Sequence, residues 1–213
     1  MKKNYSYIGI SFIILIFGIW AIPEIVKRAS GPDLAFIERN GKKAKVPAFS
    51  FTDQNGKTIS NINYEDKVYV VEFFFTTCPS ICPIMTENMV KIQNEFLGNP
   101  KVGIASFSID PEFDTSEVLK EYAKTKGITK PQWHLLTGEK EDIFKLANEG
   151  FNLYVGDGSE EDGGFEHSGF FALIDQNGYI RSRIDENQNP IVYYDGVDDK
   201  QVQMLREDIQ KLL

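Results

Sequence analysis

The sequence is poor in cysteine, in histidine and in clustered positive charge. Its 213 residues include two cysteines, Cys78 and Cys82, and two histidines, His134 and His167. The formal net charge is −8, and the lysines are scattered rather than gathered in a stripe. This charge pattern argues against nucleic acid as a partner. Because the two cysteines are only four positions apart, any thiol chemistry is confined to one place in the chain. The chain also contains no internal repeat and no low-complexity tract.

An uncharged, largely apolar stretch from Asn4 to Pro23 follows two lysines at the start of the chain. About 20 mainly apolar residues are enough to cross a bilayer. A cleaved signal peptide is the alternative, but no small-x-small cleavage site follows the stretch. Trp20 also stands where an interfacial aromatic residue belongs. We therefore predict that residues 1–23 form a short basic N-terminus and a transmembrane helix.

The charges on the two sides of this segment are partly balanced, because Lys27 and Arg28 follow it and Lys2 and Lys3 precede it. The short N-terminal tail favours a cytoplasmic N-terminus. No Arg- and Ser-rich presequence stands before the segment, which weighs against targeting to an organelle. We expect a single-pass protein of the inner (cytoplasmic) membrane, whose later residues lie on the extracytoplasmic, periplasmic side, where thiol pairs can oxidise. Residues 24–46 then form a polar stalk, and residues 47–213 form one domain.

Periodicity within residues 47–213 predicts alternating strands and helices. The strands are 49–52, 57–60, 68–75, 102–109, 133–136, 169–174 and 179–184, and the helices begin near Pro83, Asp114, Lys140 and Asp198. The apolar run 68–75 is typical of a strand that is covered on both faces. This order predicts an α/β fold, a thioredoxin-like sandwich with a central mixed β-sheet, preceded by one N-terminal transmembrane helix.

The two cysteines lie at a strand-to-helix junction, in residues 77–83 (TCPSICP). A purely structural disulfide is the plain alternative, but so short a loop gains little from closure. The start of a helix also favours the reactive thiolate form. Three residues separate Cys78 from Cys82, so both sulfurs can face one ion as well as bond to each other. Soft thiolates select copper(I) or zinc, and imidazole tolerates either metal as well as copper(II).

A third ligand is worth seeking, and the candidates are the two histidines, His134 and His167. His134 lies within a predicted strand, where alternation favours a packed or surface side chain. His167 lies in the loop that leads into the strand 169–174. Thioredoxins place a cis-proline before this strand, facing the thiol pair, whereas no proline occurs here between residues 131 and 190. A histidine near that place would turn a redox site into a Cys₂His metal site.

Three segments together resemble the signatures of the Sco family, copper proteins that assist cytochrome c oxidase assembly. They are residues 77–83 (TCPSICP), 108–115 (SIDPEFDT) and 166–168 (EHS), and the resemblance covers roughly residues 45–210. It implies a copper site of Cys78, Cys82 and His167 that accepts copper(I) or copper(II).

The resemblance also implies what the site is for. Sco proteins deliver copper to the binuclear copper centre of cytochrome c oxidase, or prepare that centre by reduction. The copper-bearing oxidase subunit is then the partner, with other copper chaperones or thiol reductants beside it, and the chain is a metallochaperone more than an enzyme. Asp110 and Asp114 correspond to the family's acidic segment. We expect Asp110 to act close to the metal or in docking, and we favour a helix cap for Asp114.

Other functions and another metal stay open. A thiol-disulfide oxidoreductase acting on extracytoplasmic cysteines would use the same pair, one thiolate attacking a partner disulfide and the other resolving the intermediate. A peroxiredoxin-like peroxidase would need an arginine beside the attacking thiol, and the sequence offers no obvious one. Zinc also suits a Cys₂His site with one open position. The acidic, glycine-rich loop 156–164 is expected to be solvated.

Overall fold

The structure is a computed structural model and describes residues 11–19, 21–22, 34–158 and 164–213. Residues 11–19 and 21–22 are helical. Within the described residues, no helix combines the length and the apolar composition that a membrane crossing requires. Part of the segment 1–23, predicted to be the anchor, lies outside the described residues, as do residues 24–33 of the predicted stalk.

The domain alternates strands with helices, as the periodicity predicts. The strands are β1 (Leu34–Phe36), β2 (Glu38–Arg39), β3 (Lys42–Lys43), β4 (Ser50–Asp53), β5 (Thr58–Ser60), β6 (Val68–Phe74), β7 (Val102–Ser108), β8 (Trp133–Thr137), β9 (Val155–Asp157), β10 (Phe165–His167), β11 (Phe170–Ile174), β12 (Ile180–Arg183) and β13 (Tyr194–Asp195). The helices are α1 (Cys82–Glu95), α2 (Ser116–Lys126), α3 (Lys140–Lys145) and α4 (Asp199–Leu212).

The main sheet is mixed, which confirms the α/β part of the prediction with its central mixed β-sheet. Its strand order is β1-β12-β11-β6-β7-β8-β4-β5, and β13 pairs with β11. Strands β6, β7 and β8 run parallel, whereas β11 runs antiparallel to β6 and β4 antiparallel to β8. Every residue of β6 and β7 is buried. These two strands therefore form the centre of the sheet, and the carboxyl end of β6 leads directly to the cysteines.

The helix ends follow local sequence signals. Pro83 stands in the first turn of α1, where its missing N–H leaves no intrahelical hydrogen bond unmade. The Thr115 side chain caps α2 by accepting a hydrogen bond from the Val118 N–H. Gly127 ends α2 with a φ of 70°, a conformation that glycine adopts without steric cost. The predicted bounds of α1 and α2 therefore agree with the structure to within a few residues.

Residues 34–46 are not the polar stalk that we predicted. Strand β1 pairs with β12 along the edge of the main sheet, and Ile37, Ala44 and Val46 are buried. Strands β2 and β3 form a hairpin whose turn residues, Asn40 and Gly41, have positive φ angles of 51° and 71°. An Asn-Gly pair is the typical two-residue hairpin turn. This part of the chain is therefore packed on the domain rather than spacing it from a membrane.

Two smaller departures lie near the site. The helix predicted over residues 140–148 changes at Leu146 into a π-helical turn that runs to Phe151. Within the loop 156–164, which was expected to be solvated, residues 159–163 lie outside the described residues. Strand β9, before residues 159–163, and strand β10, after them, pair as a separate antiparallel ribbon. His167 therefore belongs to a strand and not to a loop.

Candidate metal centre

The loop between β6 and α1 carries both cysteines to one end of the sheet. Cys82 is the first residue of α1, and Cys78 lies in the preceding loop, where its N–H bonds to the Phe75 carbonyl at 3.4 Å. Both thiols are free, and Cys78 and Cys82 are only 7% and 1% exposed. The carboxyl end of a central parallel strand is the usual place for a ligand in an open α/β sheet. The fold thus places two unpaired thiols at that position.

The antiparallel direction of β11 brings His167 to the same end of the sheet. Ala172 and Ile174 of β11 pair with Val71 and Tyr69 of β6, so the chain that enters β11 lies beside the residues that leave β6. A Cβ atom on Gly169 would lie 3.3 Å from the side chain of Ile81, which shows how closely the two segments approach. The convergence that we expected from the fold is therefore present.

The three candidate ligands converge on one point. The sulfur atoms of Cys78 and Cys82 and a ring nitrogen of His167 all lie within 4.8 Å of one another. The distance from the Cys82 sulfur to His167 Nε2 is 3.2 Å. These ligand atoms are buried, although the His167 residue as a whole is partly exposed. Within the described residues no other group of histidine, cysteine or carboxylate ligands has this geometry.

The ring of His167 is oriented so that Nε2 can act as a ligand. Its other nitrogen, Nδ1, lies 3.2 Å from the Ser168 carbonyl oxygen. A carbonyl only accepts hydrogen bonds, so Nδ1 carries the proton and Nε2 presents a lone pair to the thiols. The ring also packs edge-on against Phe75, with centroids 5.8 Å apart. A histidine held in this way resembles metal-binding histidines, whose second nitrogen is fixed by a hydrogen bond.

The two thiols share one proton, and their pKa values are shifted in opposite directions. A hydrogen bond from the Cys82 side chain lowers the pKa of Cys78, against the opposing effect of burial, and hydrogen bonds from the backbone of Cys82 and Ser80 lower it further. The pKa of Cys82 is raised by its hydrogen bond to Cys78 and by burial. The pair titrates as a unit in which Cys78 holds the thiolate and Cys82 the thiol. A thiolate beside a hydrogen-bonded thiol is ready to attack a disulfide or to bind a soft metal.

Glu72 is a buried carboxyl group near the thiols that the sequence analysis did not select. Its Oε1 accepts a hydrogen bond from the Ser106 hydroxyl at 2.6 Å, and the Trp133 indole donates to that hydroxyl at 2.9 Å. Glu72 Oε2 is buried and has no hydrogen-bond partner. Burial raises the pKa of Glu72 to about 7, opposed by the Ser106 hydrogen bond and by His167. The signal in the sequence was a single acidic residue within the apolar run 68–75.

The two aspartates of the acidic segment have different surroundings. Asp110 is partly exposed, and its pKa is raised by burial and by the charges of Asp114 and Glu112. Asp114 is completely buried and is not a helix cap, because Thr115 occupies the capping position of α2. The Asp114 carboxylate instead accepts hydrogen bonds from Thr76 and Ser108. Our prediction of a capping role for Asp114 was therefore wrong.

The remaining candidates lie apart from the thiols. His134 is packed as expected, with its Nδ1 3.3 Å from an Asp53 carboxylate oxygen, and burial lowers its pKa. The four arginines that the structure describes are bound to other groups, namely Gly150, Asp175, Asp208 and Glu95. A peroxidase site with an arginine beside the attacking thiol therefore receives no support from these four side chains.

Comparison with known proteins agrees with this geometry. The model of the SCO1/SenC family matches residues 37–200, a range that contains both cysteines and His167. The SCO1 protein homolog of Bacillus subtilis (strain 168) is 33% identical over 138 residues, which are 64% of this chain and 71% of that protein.

Solved structures give the same result. A SCO1/SenC family lipoprotein from Bacillus anthracis is 32% identical, with a TM-score of 0.69 over 79% of this chain and 95% of that one. BsSco is a member of the Sco family of cytochrome c oxidase assembly proteins in which a disulfide switch has been identified. It is 29% identical, with a TM-score of 0.66 over 79% and 93% of the two chains.

A third structure is ScoI of Bradyrhizobium japonicum, solved with copper bound. It is 23% identical, with a TM-score of 0.62 over 80% of this chain and 100% of that one, and so shares the fold. The sequence match extends over more than half of the chain, and the matched range contains both thiols and the imidazole that meet at the carboxyl end of β6. The chain belongs to the SCO1/SenC family.

Proposed function

We propose that Cys78, Cys82 and His167 bind one copper ion, and that the protein carries this ion as its cargo. The observation that supports the proposal is the convergence of the three ligand atoms within 4.8 Å. Two thiolates suit copper(I), and the neutral Nε2 of His167 adds a ligand that copper(II) also accepts. One set of side chains can therefore hold both oxidation states.

We further propose that the copper is delivered to cytochrome c oxidase, at the binuclear copper centre of the copper-bearing subunit, or that the dithiol prepares that centre. Membership of the SCO1/SenC family supports this proposal, as does the similarity to BsSco, a member of a family of oxidase assembly proteins. Asp110 is partly exposed, and we assign it a role near the metal or in docking.

The exposure of the ligands supports a direction for transfer. Cys78 is more exposed than Cys82, at 7% against 1%, and it lies in a loop rather than in a helix. A ligand on the partner therefore reaches the ion from the side of the partly exposed His167 and of Cys78 before it reaches Cys82. Cys82, at the buried start of α1, holds the ion until the partner's ligands have replaced Cys78 and His167. Copper transfer in this order is an exchange of ligands, which requires no catalytic turnover and no external source of energy.

The test compares two histidine variants of the full chain. His167→Ala should weaken copper(II) binding, measured by competition with a chelator, by about 10-fold or more, because one of three ligands is lost. His134→Ala is the matched control, since that histidine lies with Asp53, and it should bind copper like the wild type. Copper(II) added to the reduced wild type should give a thiolate-to-copper absorption band, which zinc cannot produce. Equal copper retention in both variants would remove His167 from the site.

A second function is favoured by the unequal thiols. The Cys78 thiolate would attack a partner disulfide and release one partner thiolate. Cys82 would then attack the mixed disulfide, so that this protein is oxidised and the partner reduced. Cys82→Ser should therefore trap a covalent complex with a protein that bears the disulfide, and Cys78→Ser should trap far less. If neither variant forms a complex while the wild type binds copper normally, the protein is a copper carrier alone.

We also propose that residues 1–23 anchor the protein in the inner membrane, with the N-terminus in the cytoplasm and the domain outside it. The uncharged stretch from Asn4 to Pro23 supports this proposal. The full chain should stay in the membrane pellet after extraction at alkaline pH, whereas a chain without residues 1–23 should be released.

A further inference from the structure

One buried carboxylate joins the cysteine loop to the end of the neighbouring strand. Asp114 is 0% exposed and accepts a hydrogen bond from the Thr76 backbone N–H at 3.0 Å. The hydroxyl groups of Thr76 and Ser108 donate to the same carboxylate. Thr76 stands two residues before Cys78, and Ser108 is the last residue of β7. A single side chain therefore connects the loop that carries the first thiol to the central sheet.

The position of Asp114 is itself fixed. Its backbone N–H bonds to the Asp110 carbonyl at 2.8 Å, and the Phe113 N–H bonds to the same carbonyl at 3.2 Å. The Asp110 N–H in turn donates to the Ser108 hydroxyl at 3.2 Å. This tight turn after β7 holds the carboxylate in place without any contribution from the cysteine loop. Asp114 can thus serve as a fixed support for that loop.

The cysteine loop depends on such a support. The residues between β6 and α1 form no helix or strand, so their position is set by few hydrogen bonds. Cys78 itself has a long backbone bond to Phe75, a contact of 3.6 Å between its sulfur and the Ser80 hydroxyl, and hydrogen bonds to its sulfur from the Ser80 and Cys82 backbone. All of these partners belong to the loop itself or to the start of α1, and none belongs to the sheet. Hydrogen bonds to a charged acceptor are the strong ones in proteins. The Thr76–Asp114 bonds are therefore the firmest link between this loop and the sheet.

We propose that Asp114 is a positioning residue of the metal centre, which holds the Cys78 loop where its sulfur meets Cys82 and His167. This inference rests on the proposed copper function. It assigns to Asp114 the task of keeping the first thiol at bonding distance from the other two ligands. Asp114 makes no contact with the ion, because its carboxylate is occupied by Thr76 and Ser108.

An amide at this position keeps the connections but weakens them. The Asp114 Oδ2 atom accepts from the Thr76 N–H and the Ser108 hydroxyl, and Oδ1 accepts from the Thr76 hydroxyl. In Asp114→Asn the amide oxygen can take the place of Oδ2, and the Thr76 hydroxyl can rotate to accept from the NH₂ group. The charge of the acceptor is lost, and hydrogen bonds to an ionised acceptor are the stronger ones. The variant therefore holds the loop less firmly, so that Cys78 moves relative to its partners.

The experiment uses the full chain with three substitutions. Asp114→Asn should lower copper(II) affinity by about 10- to 100-fold, the effect known for residues that orient metal ligands, and should shift the thiolate-to-copper absorption band. Thr76→Val removes one hydroxyl while keeping the backbone N–H, so it should lower the affinity several-fold. Thr76→Ser keeps the hydroxyl and should bind copper like the wild type.

A control separates positioning from general stability. Asp53 is a second buried carboxylate, 1% exposed, which accepts hydrogen bonds from the backbone N–H groups of Asn55 and Lys57. Asp53→Asn should lower the midpoint of urea unfolding, as Asp114→Asn does, but leave the copper affinity and the absorption band unchanged within about twofold. If Asp114→Asn does not fold, the copper affinities of Thr76→Val and Thr76→Ser are compared instead and test the same inference.

A metal-free readout distinguishes this inference from the proposed function. With oxidised glutathione, the two thiols form the Cys78–Cys82 disulfide and release two glutathione thiols. The equilibrium constant of this exchange measures how well Cys78 is placed, and Asp114→Asn should lower it about 10-fold. A wild type that binds no copper would refute the proposed function, while this exchange would still test Asp114. If Asp114→Asn and Thr76→Val match the wild type in the exchange and in every available copper readout, Asp114 is not a positioning residue.

Discussion

The substitution Glu72→Gln should stabilise the folded protein at neutral and alkaline pH. Burial raises the pKa of Glu72 from 4.5 to about 7 in the folded state, whereas the unfolded chain keeps a value close to the ordinary one. Below pH 4.5 the carboxyl is protonated in both states and costs nothing. As the pH rises from 4.5 to about 7, the unfolded chain has released its proton and the folded chain still holds it, so stability is lost progressively, and the loss is complete once both states are ionised. Gln carries no proton to release, so the variant escapes this loss.

The size of the effect follows from the two pKa values. Each pKa unit corresponds to about 1.4 kcal/mol, so a change from 4.5 to about 7 gives ~3 kcal/mol at pH 8. In a chain of this size, about 1 kcal/mol shifts the melting temperature by about 2–4 °C. The variant should therefore melt about 6–12 °C above the wild type at pH 8, and close to it near pH 4.5.

The measurement is urea unfolding of the reduced, metal-free full chain at several pH values between 4.5 and 8. Comparing the variant with the wild type at each pH removes the contributions of the other titrating groups. The amide oxygen of Gln can keep the Ser106 hydrogen bond, and its NH₂ group takes the place of the protonated carboxyl oxygen. The gain in unfolding free energy should grow between pH 4.5 and about 7 and then level off.

Asp53→Asn is a control for which we expect the opposite change in stability, because the pKa of Asp53 is lowered and that of Glu72 is raised. Burial of Asp53 would raise its pKa, but hydrogen bonds from the Lys57 and Asn55 backbone and from His134 outweigh that effect and lower it. A lowered pKa stabilises the folded state above the unfolded value, and this contribution is lost as the pH falls through the folded pKa. The Asn variant should therefore be less stable than the wild type at pH 8. A Glu72→Gln variant that is also destabilised at pH 8, or whose effect does not change with pH, would refute the account of Glu72.

Two further predictions concern the stability of the domain away from the thiols. Asp208→Asn should lower the unfolding free energy by about 3 kcal/mol, because the buried carboxylate that pairs with Arg183 at 2.7 Å is lost, while the ion pair of Arg183 with Glu207 remains. Lys91→Gln, in an exposed ion pair, should change it by less than about 1 kcal/mol in urea unfolding. Gly127→Ala should cost about 1–2 kcal/mol, since its φ is 70° and nothing lies near the new methyl group. Gly98→Ala, in equally open space without a positive φ, should be close to neutral in the same assay.

The long elements of the fold were predictable from the sequence, because their signals are local. Strand β6 is a continuous apolar run, and α2 is bounded by the cap at Thr115 and by Gly127. The grouping of Cys78, Cys82 and His167 in the structure was also predictable, since the chain has so few thiols and imidazoles that little choice was left. The convergence itself depended on the antiparallel direction of β11, which the predicted topology supplied.

The short elements escaped prediction because two or three residues carry no periodicity. Strands β1 to β3 are only two or three residues long, and the polar residues around Gly41 hid the hairpin. The Asn40-Gly41 pair was nevertheless a usable turn signal. The ribbon that carries His167 was missed for the same reason, because β9 and β10 are three residues each and lie beside a glycine-rich loop.

The roles of the buried acids could not be read from the sequence. Asp114 stands directly before a helix, where a capping residue is common, and only the fold shows that its carboxylate points to Thr76 instead. Glu72 lies between Val71 and Phe73 in β6. Its hydrogen-bond partner, Ser106, lies 34 residues further along the chain. Hydrogen bonds between distant segments depend on strand register, which no local pattern determines.

The ribbon of β9 and β10 has a consequence for how Sco-like sites can diversify. It is a two-stranded sheet separate from the main one, and it supplies the imidazole, whereas the strand–helix junction supplies both sulfurs. A mutation in the ribbon therefore changes the imidazole while it leaves in place the backbone that carries the two sulfurs, and it reaches the thiols through the 3.2 Å contact between His167 and Cys82. Metal preference and disulfide chemistry are accordingly linked through one contact between two short stretches of a single gene.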